Sequence, residues 1–310
     1  MSEKENVVTK DYKDRLFQFI FGQADHKDWT LSLYNAVNDS DYADPEAIEF
    51  NTIKEALYLG MHNDVSFIIA QEMNLYEHQS TYNPNMPLRQ MQYVSGAYEA
   101  YVKKHKLNKY GVTQVMLPTP HLIVFYNGAR EVDDCVILNL SDAFSEDTRD
   151  TSDIQVRVKM LNINAGRNKK LMEQCRPLFE YAWVMDTSRR YKLEGHEDPV
   201  DDTIRLMPMD FVIRDFIMAH REEVKDMLLT EYNEAESHEL FQLEGERIGH
   251  EKGLKEGLKE GLEKGLKQGA DVARLENIRT AMQKLNLSAD AAMDFFDIPQ
   301  ELREKYAKEL

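Results

Sequence analysis

A mixed α/β (α+β) domain followed by a helical C-terminal tail is the fold class this 310-residue sequence predicts. Apolar runs of strand length, such as Val65-Ser-Phe-Ile-Ile-Ala70 and His121-Leu-Ile-Val-Phe-Tyr126, stand between segments with apolar residues at helical spacing. From Gly245 to Gly269 the composition changes and glycine recurs at every fourth residue, which sets the tail apart. Apolar content of 42% with 30% charged residues fits a chain that buries a core and keeps a wet surface.

In chain order, Lys10 to Gly22 reads as a helix whose Leu16, Phe17, Ile20 and Phe21 face a core, with Asp14 on its flank. Trp29 to Val37 is a second helix, and Asn38 to Asp41 a loop. Ala47 to Ile53 alternates polar and apolar residues and reads as a strand. Asp64 to Gln79 reads as a hairpin whose two strands flank a connection at Gln71-Glu72-Met73-Asn74. The Asn- and Pro-rich stretch Thr81 to Pro87 cannot continue a central strand.

Leu88 to Lys104 is then a helix, with Met91, Val94, Tyr98 and Tyr101 or Val102 as its expected apolar stripe and Arg89, Gln90 and Gln92 in its first turns. His121 to Tyr126 is a buried strand closed by the turn Asn127-Gly128, and Ile154 to Ile163 is a further strand. Arg167 to Lys192 reads as one long helical stretch kinked or interrupted at Pro177. His196 to Asp202 reads as an acidic loop, and Met209 to Asn233 as the helix that closes the main domain.

The expected layout is a main domain over 1–240, a repeat helix or tether over 241–270 and a small helical module over 271–310. Leu254, Leu258, Leu262 and Leu266 each follow a repeat glycine, and the units read Gly-Leu-Lys-Glu. An interior glycine costs a helix about 1 kcal/mol relative to alanine, so a frayed, charged tether is the expectation here. A period above 3.6 residues leaves a right-handed self-paired bundle, and so a homo-oligomer through residues 245–269, as the alternative. Beyond it, Ser288 caps one short helix and Pro299 suits the start of another.

Composition narrows the function classes. No stretch approaches the roughly 18 to 20 apolar residues of a membrane span, so no membrane partner is expected. Two cysteines, Cys135 and Cys175, form neither a disulfide framework nor a zinc pattern, and the polar start Met1-Ser-Glu-Lys-Glu-Asn lacks signal-peptide order. A reducing cytoplasm is expected. The net charge of −17 opposes nucleic-acid binding over the chain as a whole, though Lys103-Lys104-His105-Lys106 and Arg167-Asn-Lys-Lys170 are local basic clusters.

Along the second hairpin strand Glu77 and Gln79 project to one side and His78 to the other. If the strands pair, Asp64 at the mouth of the first approaches Glu77, and two carboxylates at a sheet edge suit a hard cation such as Mg2+. A solvated sheet face shows the same letters.

The wider text adds a resemblance. Asp14-Arg-Leu-Phe17, Asn63-Asp64-Val-Ser-Phe67, Tyr76-Glu-His-Gln-Ser-Thr81, Asn83-Pro-Asn-Met-Pro-Leu-Arg89 and Phe125-Tyr-Asn-Gly128 resemble the Rpn family of recombination-promoting nucleases, also labelled YhgA-like transposases. The resemblance covers roughly residues 10 to 235. It implies a PD-(D/E)XK restriction-endonuclease-like core, a mixed central sheet flanked by helices. It also implies a Mg2+-dependent endonuclease (Mn2+ being the other candidate ion) acting on double-stranded DNA. Asp64 and Glu77 would ligate the metal, Gln79 would stand where the superfamily has lysine, and Asp14 would belong to the surroundings of the site. Arg89, Lys103 and Lys104 are the expected DNA contacts. The competing expectation is a slow or non-catalytic protein of the same fold that assembles through its repeat.

Overall fold

The structure is a computed structural model that describes residues 16–50 and 64–310. It is a mixed α+β architecture built on a six-stranded open sheet with order β1-β2-β3-β4-β6-β5. The strands are β1 (Glu49–Phe50), β2 (Val65–Ile69), β3 (Glu72–Gln79), β4 (Thr119–Tyr126), β5 (Cys135–Asn139) and β6 (Arg157–Asn162). Strands β1 to β3 pair antiparallel. Strands β3, β4 and β6 run parallel. The edge strand β5 pairs antiparallel with β6. Parallel neighbours need a crossover, and α3 (Met86–Lys104) supplies the one from β3 to β4.

Side-chain alternation gives the sheet two different faces. One face carries Phe67, Tyr76, Phe125 and Leu161 into the main core. There they meet α1 (Leu16–Phe21), α2 (Lys27–Asn38) and α5 (Arg176–Leu193). All four expected α1 residues, Leu16, Phe17, Ile20 and Phe21, are buried. Full burial of such a side chain is worth about 1.5–3 kcal/mol, so this short helix is held by packing rather than by its own hydrogen bonds. The other face carries Met73 and Leu75 against Tyr93 and Ala97 of α3.

Several elements differ from expectation, each for a local reason. The hairpin turns on two residues only, Ala70 and Gln71, at φ 50° and 65°. Positive φ at both central positions matches the twist of the flanking strands, so Glu72 to Asn74 are strand rather than turn. The fully buried residues of α3 are Met86, Pro87, Gln90, Tyr93 and Ala97, a stripe rotated toward the sheet, while the expected Val94, Tyr98 and Tyr101 pack partly buried at its margin. Two polar-tipped residues, Gln90 and Tyr93, therefore face the sheet.

Residues 167–192 divide into α4 (Lys169–Gln174) and α5, because Cys175 is extended at φ −124°. Pro177 lies in the first turn of α5, where its missing N–H costs nothing. The acidic 196–202 segment is not a loop throughout. Asp198 caps α6 (Pro199–Arg205) by accepting from the Asp201 N–H at 3.1 Å. The expected helix from Met209 is divided into α7 (Arg214–Ala219) and the start of α8 (Arg221–Lys284). The edge strand β5 had no expectation.

The chain divides into two compact units at Glu239/Leu240. In the second unit the repeat is continuous helix within α8, the helical one of the two expected alternatives rather than the frayed tether. All seven repeat glycines leave open space where a side chain would stand. Helix α8 then packs through Leu275, Ile278 and Ala281 on Met293 of α9 (Ala289–Phe295) and Tyr306 of α10 (Gln300–Ala307). Open glycines in a solvated helix define a stability test. Replacing Gly257, Gly261 and Gly265 together with alanine is expected to stabilise the repeat helix by about 1 kcal/mol per site. Thermal melting followed at 222 nm should rise accordingly; an unchanged melt would mean the repeat does not unfold as helix.

Candidate active site

The pairing register settles where the two hairpin carboxylates stand. Val65 opposes Tyr76, so one step back along β2 places Asp64 across from Glu77 on the face covered by α3. Both are buried, Glu77 at 1% exposure. Asp64 Oδ2 accepts the His78 backbone N–H at 2.7 Å, which fixes this carboxylate to the end of β3.

Glu77 is surrounded by donors. Its Oε1 accepts from Arg89 at 2.6 Å and from Gln79 Nε2 at 2.7 Å, and its Oε2 accepts from Gln90 Nε2 at 3.3 Å. Arg89 also donates to the Tyr93 hydroxyl at 3.1 Å. Burial raises the Tyr93 phenol and the nearby Glu77 carboxylate raises it further, while Arg89 acts in the opposite direction. A buried carboxylate is tolerable only when paired. Here Arg89, 29% exposed, supplies the charge, and the two amides complete the shell.

Two of these residues were not singled out for this role by sequence reasoning. Tyr93 lies one helical turn beyond Arg89, and Gln90 stands in the first turns of the helix, where the sequence does not tie it to Glu77. The available signal was the spacing Arg89, Gln90, Tyr93, which puts three polar tips along one side of a helix beginning beside the hairpin.

The other predicted residues are placed differently. Asp14 lies outside the described residues. Lys103 and Lys104 occupy the last turn of α3, about 21 Å along the axis from Arg89 at 1.5 Å per residue. Lys104 pairs there with Glu49. The structure does not bring this pair to the carboxylates.

His78 projects to the opposite face, as its position in β3 requires. It stacks on Phe17 at 6.1 Å between ring centroids and meets Tyr181 edge-on at 5.4 Å. Its Nε2 bonds Asn127 Oδ1 at 3.0 Å, and Arg189 donates to the Asn127 carbonyl. Asn127 leads into Gly128, where a Cβ would stand 2.3 Å from the Ser80 carbonyl, so only glycine lets the chain pass the end of β3. His196, in the acidic segment, bonds Asp202 at 2.7 Å beside a helix start.

Among the described residues no group of three or more His, Cys, Asp or Glu side chains gathers as a metal cluster. The Asp64–Glu77 pair is thus a set of two carboxylates, with hard oxygen donors suited to Mg2+ or Mn2+. The cation paired with Glu77 here is the Arg89 guanidinium, at 2.6 Å.

Comparison with protein-family models, curated proteins and solved structures yields no match for this chain. Fold and site together define an α+β protein with a buried, register-opposed acid pair under an arginine-bearing helix. Among the described residues no helix is long and apolar enough to cross a membrane.

Proposed function

We propose that this chain is a Mg2+-dependent DNA endonuclease of the recombination-promoting type, with a PD-(D/E)XK-like core. The observation that carries the reading is the placement of Asp64 opposite Glu77 beside the first turns of α3. The resemblance of the hairpin and the Pro-Leu-Arg stretch to the Rpn family supports it.

Asp64 and Glu77 would hold the ion, which supplies a Lewis acid that lowers the pKa of a bound water and offsets charge on the phosphate. The remaining work falls to the chain. The His78 N–H keeps Asp64 oriented, and Gln79 keeps Glu77 oriented. Gln79 can also hydrogen-bond a water, but unlike lysine it brings no charge. Arg89 supplies that charge. It is partly exposed and bonded to the acid, so its guanidinium is the group able to exchange a carboxylate for a DNA phosphate.

With a net charge of −17, DNA binding by this chain is expected to be weak and strongly salt-dependent. Titration calorimetry with MgCl2 and MnCl2, alongside plasmid cleavage, tests the reading; no metal binding and no cleavage would remove it. Replacing Arg89 with alanine takes away the cation that competes for Glu77. It is expected to tighten Mn2+ binding about tenfold and to weaken DNA binding, since a charge-assisted hydrogen bond is worth about 1.5–3 kcal/mol. Metal affinity left unchanged would mean that Arg89 and the ion do not share Glu77.

A second reading is a slow or non-catalytic interaction protein of the same fold. It is favoured by one observation, the exposure of Leu254, Leu258, Leu262 and Leu266 along the repeat helix. Light scattering on the full chain and on residues 1–239 separates the two, because an unchanged protomer number on truncation rules out assembly through the repeat.

A further inference from the structure

On the opposite face of the sheet from the acid pair, just past the carboxyl end of β6, the first unit contains a cavity of about 890 Å3. Ligand sites in open sheets with parallel strands favour this end, and the volume is that of a small-molecule site. Its wall is apolar and aromatic, formed by Met172, Phe179, Trp183 and Leu193. Phe179 and Leu193 are 46% and 83% exposed. Phe211 meets the Trp183 ring edge-on at 5.3 Å and holds it in place.

Cations surround this wall. Arg167, Lys169, Arg189 and Arg190 line the cavity against two acids, Glu173 and Asp186. Arg167 is committed to Glu131 and Asp134, and Arg189 to Asn127 and Asp186. Lys169 has no ion pair among the described residues, and Arg190 reaches Glu194 only at 3.9 Å. Asp186 accepts the Ala165 N–H at 2.9 Å and lies 3.7 Å from Arg189; burial raises its carboxyl pKa, and Arg189 and the Ala165 bond oppose that rise. An apolar aromatic wall, a carboxylate with remaining acceptor capacity among the lining residues and two cations without strong partners are complementary to a planar base with an exocyclic amine and an attached phosphate.

We propose that this cavity binds a purine nucleoside monophosphate, with the base against Trp183 and the phosphate at Lys169 and Arg190. The site is independent of the acid pair and of the endonuclease reading. Titration calorimetry on the full chain in EDTA, with adenosine monophosphate, adenosine, inorganic phosphate and laurate as separate probes, tests it. The nucleotide is expected to bind saturably and at least about tenfold more tightly than adenosine or phosphate alone. Lys169→Glu and Arg190→Glu, both surface changes, are each expected to weaken the nucleotide about tenfold and leave adenosine unaffected. Trp183→Leu should weaken adenosine and the nucleotide together. Absence of saturable nucleotide binding, equal binding of adenosine, or tighter binding of laurate would each overturn the proposal.

Discussion

Glu77→Ala is expected to lower Mg2+-dependent cleavage of double-stranded DNA by about a thousandfold or more. The scale follows from losing a charge-stabilising metal contact worth several kcal/mol, at about 1.4 kcal/mol per tenfold in rate. The same change removes the acceptor shared by Arg89, Gln79 and Gln90, so lost activity alone is ambiguous. Glu77→Gln resolves the ambiguity. It keeps the shape and one acceptor while removing the negative charge, and is expected to be nearly as inactive but closer to the parent in melting temperature. Asp64→Asn should behave in the same way, because the neutral amide can still accept from His78 N–H through its oxygen. Initial rates on supercoiled plasmid, with unfolding curves for each variant, are the measurements. A Glu77→Gln protein cutting at the parental rate would dismiss this carboxylate from the chemistry.

The legible part of this molecule is what local pattern determines. The apolar face of α1 was readable because burial imposes a period, and β4 because a strand buried on both faces reads as a continuous apolar run. The hairpin was readable because two such runs flank a polar break; the opposition of Asp64 and Glu77 depends on the exact turn. The two-residue turn was not readable, since Ala70 and Gln71 adopt positive φ without the glycine or asparagine that normally marks it. The rotation of the α3 stripe escaped for a different reason. Gln90 and Tyr93 are buried because Glu77 and Arg89 give their polar ends partners, a tertiary effect that hydrophobic spacing cannot register. The long repeat helix likewise opposes glycine propensity. Its stability has to come from elsewhere in the helix, and the packed stretch at Leu275, Ile278 and Ala281 is one source.

A second large effect is expected on stability, far from the acid pair. Glu180 on α5 is completely buried, and three donors converge on its carboxylate. Arg176 Nε reaches Oε1 at 2.8 Å, the Val212 N–H reaches Oε1 at 2.9 Å and the Ile213 N–H reaches Oε2 at 3.0 Å. Through these bonds α5 is fastened to the segment that leads into α7. Glu180→Ala would leave two backbone N–H groups and a guanidinium without their acceptor, and breaking a buried pair this way costs about 3–5 kcal/mol. Glu180→Gln is expected to cost less, about 1–3 kcal/mol, because its amide retains one acceptor but turns a donor toward a donor. The exposed pair Lys27–Glu46 is the internal comparison, since Glu46 is 78% exposed and its removal should cost no more than about 1 kcal/mol. Urea unfolding of the three variants should rank them in that order by midpoint. If Glu180→Ala unfolded at the same midpoint as the Glu46 variant, water would have to satisfy these donors as well as the carboxylate does, and the clamp would hold nothing together.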